Sequence, residues 1–268
     1  MKAWDSHFLE GSPLFAPLRA HGAGAATPDW PTLVELQALL DTRGVLSGGS
    51  VALRLIPQAE RVATFEERYE VRLFLKGELQ LRPQNWHDLF NVLTWVAYPR
   101  AKAALNARHY QAALTQHAQG RLNRGPAQDA LTLFDEGGMI VAASDTELLQ
   151  DLRDFAWKRL FWERRARVEQ RMRWLVFGHA LYEKALEPYI GVTGRGLLLT
   201  VEAEFLARPL VEQLAIIDER IAMVITNESR FGGTRDLTPV PVLGVPGVWP
   251  ANENPAFYDN AGYFRERR

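Results

Sequence analysis

The chain has 268 residues, of which 47% are hydrophobic and 24% charged, and its net charge is −1. Such a composition is ordinary for a globule and gives no global attraction to nucleic acid or an anionic membrane; no window reaches the ~18 uncharged apolar residues that a membrane span requires. Cysteine is absent, which removes disulfides, thiolate nucleophiles and zinc–thiolate sites, suits a reducing cytoplasm, and restricts any metal site to His, Asp, Glu, Asn or backbone oxygen.

The first 27 residues are loop-rich, with Gly and Ala concentrated at 22–26, and the first twenty lack a continuous apolar core behind a basic start, so no secretory signal is expected. Asp29 is placed to cap a helix that holds Pro31 in its first turn and Leu33, Leu36, Leu39 and Leu40 on one face, with Gly44 closing it. Residues 51–56 alternate apolar and charged, as in a strand. Residues 69–75 and 78–81 alternate around Lys76-Gly77, which predicts a β-hairpin.

That hairpin leads into residues 85–109, the stretch around which the chain is organised. Asn85 is a good N-cap, and Asp88 stands where it can return a bond to the cap and where the helix dipole favours a negative charge. Trp86, Leu89, Phe90, Leu93 and Val96 recur at three- and four-residue spacing and predict one buried face. Pro99 ends this helix near Tyr98 and opens a second one that runs to about His117.

Beyond a loop at 120–128, residues 131–134 and 139–142 flank a Glu136-Gly137-Gly138 turn and predict a second hairpin. Ser144 or Asp145 caps a helix from about Thr146, with Leu148, Leu152, Phe155, Trp157 and Leu160 on one face. Residues 158–173 hold seven Lys or Arg, and a break is expected among them because an unbroken helix from 146 to 186 is too long for a globule. Residues 174–186 read as helix ending before Pro188, and 201–225 as one or two more helices. From Gly232 onward, Pro239, Pro241, Pro246, Pro250 and Pro255 forbid regular structure over most of the tail, while Trp249, Phe257 and Tyr258 anchor it to the body. The expected fold is α+β and mainly helical: one compact cytoplasmic domain over 1–268, with one or two small antiparallel hairpins and a Pro-rich irregular C-terminal tail.

Asn85-Trp86-His87-Asp88-Leu89-Phe90-Asn91, followed by the run from Tyr98-Pro99-Arg100 to Asn106 and by His109, resembles a bacterial family known only as domain of unknown function 3025. Three further stretches fit the same family: Asp129 to Glu136, Phe177 to Lys184, and Pro246-Gly247 with Phe257-Tyr258-Asp259. The resemblance covers nearly the whole chain and implies membership. It implies no activity and no catalytic residue.

The chain lacks the nucleophile elbow, the phosphate loop, the dinucleotide glycine motif and the His-Glu-x-x-His zinc motif. Chemistry must therefore come from scattered polar residues. His87, Asp88 and His109 carry the right groups for a divalent metal or a general base, although Asp88 also suits a plain helix cap. His179 and Glu183, four apart on one helix, allow joint ligation or a carboxylate that orients an imidazole; a buried His–Glu hydrogen bond is the simpler alternative. Asp129, Asp135 and Glu136 suit a hard cation or merely a turn. Asn85, Asn91 and Lys102 complete the polar set. The hairpin-to-helix pattern, with Asn85, Lys102 and His109, loosely resembles the ββα-metal core of HNH nucleases, but Pro99 breaks the helix and no strand-end His is present. The 158–173 basic run, interleaved with Trp157, Trp162 and Trp174, offers phosphates a footprint only if its charges share one exposed stripe; a solvated face with acidic neighbours explains it equally well, and the near-zero net charge argues for that face.

Two readings stand. The preferred one is a soluble binding protein with a polar pocket near His87 and His179 for an unidentified small molecule or protein, with nucleic acid an option that is not favoured and no membrane partner. The alternative is a metal-dependent hydrolase, phosphodiesterase or nuclease-like, in which His and carboxylates hold a divalent ion. The two differ in whether His87, Asp135 and His179 converge on an open cavity.

Overall fold

The computed structural model describes residues 3–21, 27–58, 64–120 and 125–266. Turns of 3-10 helix and α1 (Ala16–Arg19) precede α2 (Leu33–Arg43), β1 (Arg54–Pro57), α3 (Tyr69–Lys76), β2 (Glu78–Leu81), α4 (Trp86–Ala97), α5 (Pro99–Ala118) and α6 (Pro126–Gly137). The second half holds β3 (Gly138–Ala143), α7 (Thr146–Arg153), a π-helical turn (Arg159–Glu163), α8 (Arg165–Arg171), β4 (Met172–Val176), α9 (His179–Ala185), β5 (Thr193–Thr200), α10 (Ala203–Leu206), α11 (Leu210–Thr226) and β6 (Thr238–Pro241). The fold is α+β and mainly helical. The 22–26 stretch and residues 121–124 of the expected 120–128 loop lie outside the described residues.

Two sheets organise the helices. β1 and β2 pair in parallel, and a second sheet runs in the order β4-β3-β5-β6. Within it β3 is antiparallel to β4 and parallel to β5, while β6 is antiparallel to β5. β3 is buried at every position, as its run Gly-Met-Ile-Val-Ala-Ala leads one to expect of a central strand covered on both faces.

α4 is the core helix. Asn85 caps it by accepting from the Asp88 N–H at 3.0 Å, and Pro99 opens α5. The five apolar residues predicted as one face understate its burial. All of α4 is buried except His87 and Asp88, because Val92 and Trp95 continue the apolar surface around the back; a helix apolar all round sits inside. Each large side chain buried here contributes roughly 1.5–3 kcal/mol.

Several elements differ from the sequence expectation, each for a local reason. Residues 69–76 form helix α3, not a hairpin strand. Gly77 adopts the left-handed conformation (φ 66°) and donates to the Leu73 carbonyl, which makes it a helix C-cap. A Cβ at Gly77 would also lie 2.2 Å from the Ala52 carbonyl oxygen. β2 therefore pairs with β1, and the hairpin needed for the HNH likeness is not there. The second hairpin is likewise replaced, since residues 126–137 are helix α6, with Pro126 at its first position and Ala130, Leu131 and Phe134 as its buried face. Residues 172–176 form β4, and the helix expected from 174 begins only at His179.

At the N-terminal side, the cap of α2 is Thr32 in a capping box with Glu35, not Asp29. The Pro-rich tail does contribute one strand. Pro239 and Pro241 are tolerated in β6 because it is the sheet edge, where the missing N–H groups face no partner. The rest of the tail packs down on the body, with Tyr258 buried and Trp249 and Phe257 half-buried against the core; Tyr263 and Phe264, not singled out from the sequence, are buried as well. Among the described residues no helix is long and apolar enough to cross a membrane.

Candidate metal centre

Three junctions between elements meet at one end of the four-stranded sheet. The register pairs Met139 with Val176, so the end of α6, which leads into β3, lies beside the start of α9, which follows β4. The Gly138 carbonyl accepts from both Phe177 N and Gly178 N at 2.9 Å. A Cβ on Gly178 would lie 2.4 Å from the Glu136 carbonyl oxygen, so glycine permits this approach. Tyr98 and Tyr182 both donate to the Val176 carbonyl, at 3.0 and 2.6 Å, pinning the strand end that precedes His179. Phe90 stacks on Tyr182 with ring centroids 5.7 Å apart, which ties α4 to α9. Together these contacts bring His87, in the first turn of α4, against His179, the first residue of α9.

The two imidazoles present Nε2 to Nε2 at 3.0 Å, with their planes at 80°. Glu136, near the end of α6, completes a group of three whose ligand atoms all lie within 4.8 Å of one another; its Oε2 is 3.7 Å from His179 Nε2. Carboxylates stand behind each ring. Glu183 lies 3.1 Å from His87 Nδ1, and Asp135 lies 3.8 Å from His179 Nδ1. Glu183, expected to serve His179 on its own helix, serves His87 across to α4 instead. His179 Nδ1 is buried without a hydrogen bond of normal geometry.

Proton counting leaves one ring nitrogen of this chain unsatisfied, whichever Nε2 donates. One Nε2 must donate to the other. If His87 keeps its proton on Nδ1 for Glu183, His179 donates from Nε2, and its bare Nδ1 faces the Asp135 side. If His179 carries its proton on Nδ1, His87 must donate from Nε2, and its bare Nδ1 faces the Glu183 carboxylate. The first arrangement satisfies both contacts of hydrogen-bond length and leaves the buried His179 Nδ1 without a partner, 3.8 Å from Asp135; the second sets the bare His87 Nδ1 against Glu183 at 3.1 Å. A positive charge between the rings removes this shortfall, either as one more proton or as a metal cation, since both Nδ1–H groups can then face carboxylates.

The surroundings are strongly polarised. Burial pushes His179 down to about 4, so it is a neutral imidazole near pH 7. Burial raises Glu136, with the neighbouring Asp135 adding to the effect. Burial also works to raise Asp135, but the buried Lys102 ammonium and the His179 ring outweigh it and hold its carboxyl below the usual range. Lys102 Nζ sits 2.5 Å from Asp135 Oδ1 and 2.9 Å from Asn91 Oδ1, and Asn91 donates in turn to the Tyr69 hydroxyl at 2.9 Å. Asp135 thus joins a buried cation to the histidine cluster.

A cavity of about 510 Å³ opens beside the cluster, lined by His87, Asp88, Asn91, His109, Asp135, Glu136 and His179 among others. Most of the residues singled out from the sequence therefore meet here. Three play supporting parts. Asn85 caps α4. Asp88 does not return a bond to that cap; it accepts from Arg82 Nε and Nη2 at 2.9 and 2.7 Å, and from the Arg82 N–H at 2.7 Å. Lys102 is held by Asp135 and Asn91. Asp129 is exposed on the first turn of α6 and does not join the cavity. Sequence reasoning missed the amide walls (Gln58, Gln80, Gln116 and Gln128), as well as Tyr69 and Arg68, because isolated Gln residues carry no spacing signal.

The 158–173 basic run does not form a free stripe. Five of its cations meet carboxylates: Lys158 with Asp259, Arg159 and Arg164 with Asp151, Arg165 with Glu253, and Arg167 with Asp145.

The family model described as "Protein of unknown function (DUF3025)" matches residues 53–268, and the chain belongs to that family. No curated protein and no solved structure matches the chain.

Proposed function

We propose, for a member of a family whose description assigns no activity, that this protein is a hydrolase dependent on one divalent metal ion held by His87 Nε2, His179 Nε2 and Glu136. The observation that carries this reading is the convergence of His87, His179 and Glu136 ligand atoms within 4.8 Å of one another beside an open cavity, with the Glu183 carboxylate behind His87. Two imidazoles and one carboxylate with a position left open toward a cavity is the ligand pattern of catalytic rather than structural zinc sites. Ideal tetrahedral ligation needs the two nitrogens about 3.3 Å apart at Zn–N distances of about 2.0–2.1 Å, so the observed 3.0 Å requires only a small opening. Glu183 and Asp135 supply the outer carboxylates that fix the ring orientation and raise ligand basicity.

A metal held by His87, His179 and Glu136 would supply the chemistry of a bound water activated near neutral pH for the hydrolysis of an ester. The amide-lined wall and the exposed Arg68 at its rim suit a substrate with several hydrogen-bonding groups and a negative charge, such as a phosphodiester or an anionic carboxylic ester.

The test is a panel of chromogenic phosphodiester and carboxylic esters, assayed on tag-free protein loaded with zinc or manganese. The proposal expects metal-dependent turnover that His179→Ala abolishes. Stoichiometric metal with no turnover on any ester would return the cavity to a purely binding role. Turnover equal in the metal-free protein would remove the metal from the mechanism.

A further inference from the structure

A second cavity lies far along the sheet from the histidine cluster and is independent of it. β6 covers only the first half of β5: its pairing runs from Thr193↔Pro241 to Gly196↔Thr238 and stops there, as the chain before Thr238 turns away into the 3-10 turn Thr234–Asp236. The alternation of backbone groups identifies what is left open. Val242 N donates to Val192 O, and Val201 N donates to Ala143 O on the other side. The even-numbered residues of β5 therefore turn their N–H and C=O groups toward β6, and the odd-numbered ones toward β3. Leu198 and Thr200 are even, and beyond Gly196 they have no strand to meet among the described residues. The Thr200 carbonyl accepts from Arg220 Nη1 at 3.2 Å. That leaves the Leu198 N–H and C=O and the Thr200 N–H as an open edge.

This edge forms one wall of a groove of about 1160 Å³. Arg153, Arg220, Arg230 and Arg235 line it with a single carboxylate, Asp236, whose Oδ2 is taken by the N–H groups of Gly232 and Gly233 at 2.8 and 2.9 Å. Arg153, Arg230 and Arg235 are exposed and make no ion pair among the described residues. The contrast with the basic run at 158–173, where five cations meet carboxylates, is direct. Met223, 58% exposed, adds an apolar contact to the same wall.

We infer that this groove takes an acidic, extended segment of a partner polypeptide, which adds as a strand to the open half of β5 and places its carboxylates on Arg153, Arg230 and Arg235. Unpaired main-chain groups supply affinity to any extended chain, and the side chains around them supply choice. The guanidinium forks match carboxylates, and the open backbone edge selects a peptide over an anion that has no amide groups.

Fluorescence anisotropy with a labelled eight-residue peptide of alternating Glu and Val tests this on the full chain. Binding is expected, weakened at least about ten-fold by the double substitution Arg153→Glu/Arg235→Glu and about as much by N-methylation of alternate peptide amides; a Lys–Val peptide should not bind. No binding to the wild-type protein would overturn the inference. So would equal affinity for the N-methylated peptide, or equal affinity for a single-stranded thymidine octamer, because either would make the groove an anion site without strand addition. The N-methylation arm uses unaltered protein, so it reads the edge even if the charge reversals disturb the fold.

Discussion

Residues 158–173 and the His87–His179 pair both crowd ionisable groups together, and they resolve the crowding in opposite ways. In the basic run each cluster closes on itself. The buried carboxylate of Asp151 receives Arg159 at 2.7 Å and Arg164 at 2.9 Å, and Arg167 reaches Asp145 at 2.5 Å. Within these pairs donors and acceptors are matched, and the charges serve the packing of α7, α8 and the tail. Around His87 and His179 the count does not close: two Nε2 atoms face each other and two carboxylates stand behind them. Saturated charge reads as architecture, whereas convergent lone pairs beside an open cavity read as a site.

The sharpest way to break this comparison is to unsettle the saturated side. Asp151→Asn leaves two guanidiniums short of their counter-charge, and because both are partly exposed the cost should sit at or below the low end for a broken buried pair, about 2–3 kcal/mol. Urea denaturation should show that loss with metal uptake unchanged; a parallel loss of metal would mean that the two regions are coupled. By contrast, Lys158→Gln removes a solvent-exposed pair and should change stability by less than about 0.5 kcal/mol.

On the other side, Glu183→Gln should leave the fold intact and weaken metal binding by about ten- to a hundredfold, the usual effect of losing an outer carboxylate. Titration calorimetry with zinc reads this directly, and unchanged affinity would make the Glu183–His87 contact incidental.

Asp218 provides a smaller, pH-read contrast. Its carboxylate caps α5 from α11, accepting from Arg100 N and Ala101 N at 3.0 and 2.8 Å, yet burial pushes it up from 3.8 to about 6. The folded chain thus holds this proton more tightly than the unfolded one. Its contribution to stability is greatest below pH 4 and declines as pH rises through about 6, with a slope of at most about 1.4 kcal/mol per pH unit. Chemical denaturation between pH 4 and 7 should show the decline, and Asp218→Asn should flatten it. A wild-type stability that rises across this window with no change in Asp218→Asn would contradict the assignment.

What the sequence made legible was local. The Asn85 cap, the break at Pro99 and the mainly helical α+β class follow from short-range patterns. The hairpins were misread because a left-handed glycine ends a helix as readily as it turns a strand, and Tyr69 to Leu75 alternates in a way that fits either until burial decides. His87, His179, Asp135 and Glu183 could be named as candidates, but their pairing could not, since His87 and Glu183 lie 96 positions apart. Glu136 stood in view only as one of two adjacent acids at a supposed turn. Its place among the ligand atoms depends on the β3–β4 register, which no local pattern encodes.

The most direct test of the central claim is metal content by elemental mass spectrometry on tag-free protein, incubated with zinc and dialysed, for wild type beside His87→Ala and His179→Ala. The account predicts about one metal per wild-type chain and loss of that metal in either variant while circular dichroism stays unchanged. Folded wild-type protein that retains no metal, or variants that retain it in full, would contradict it.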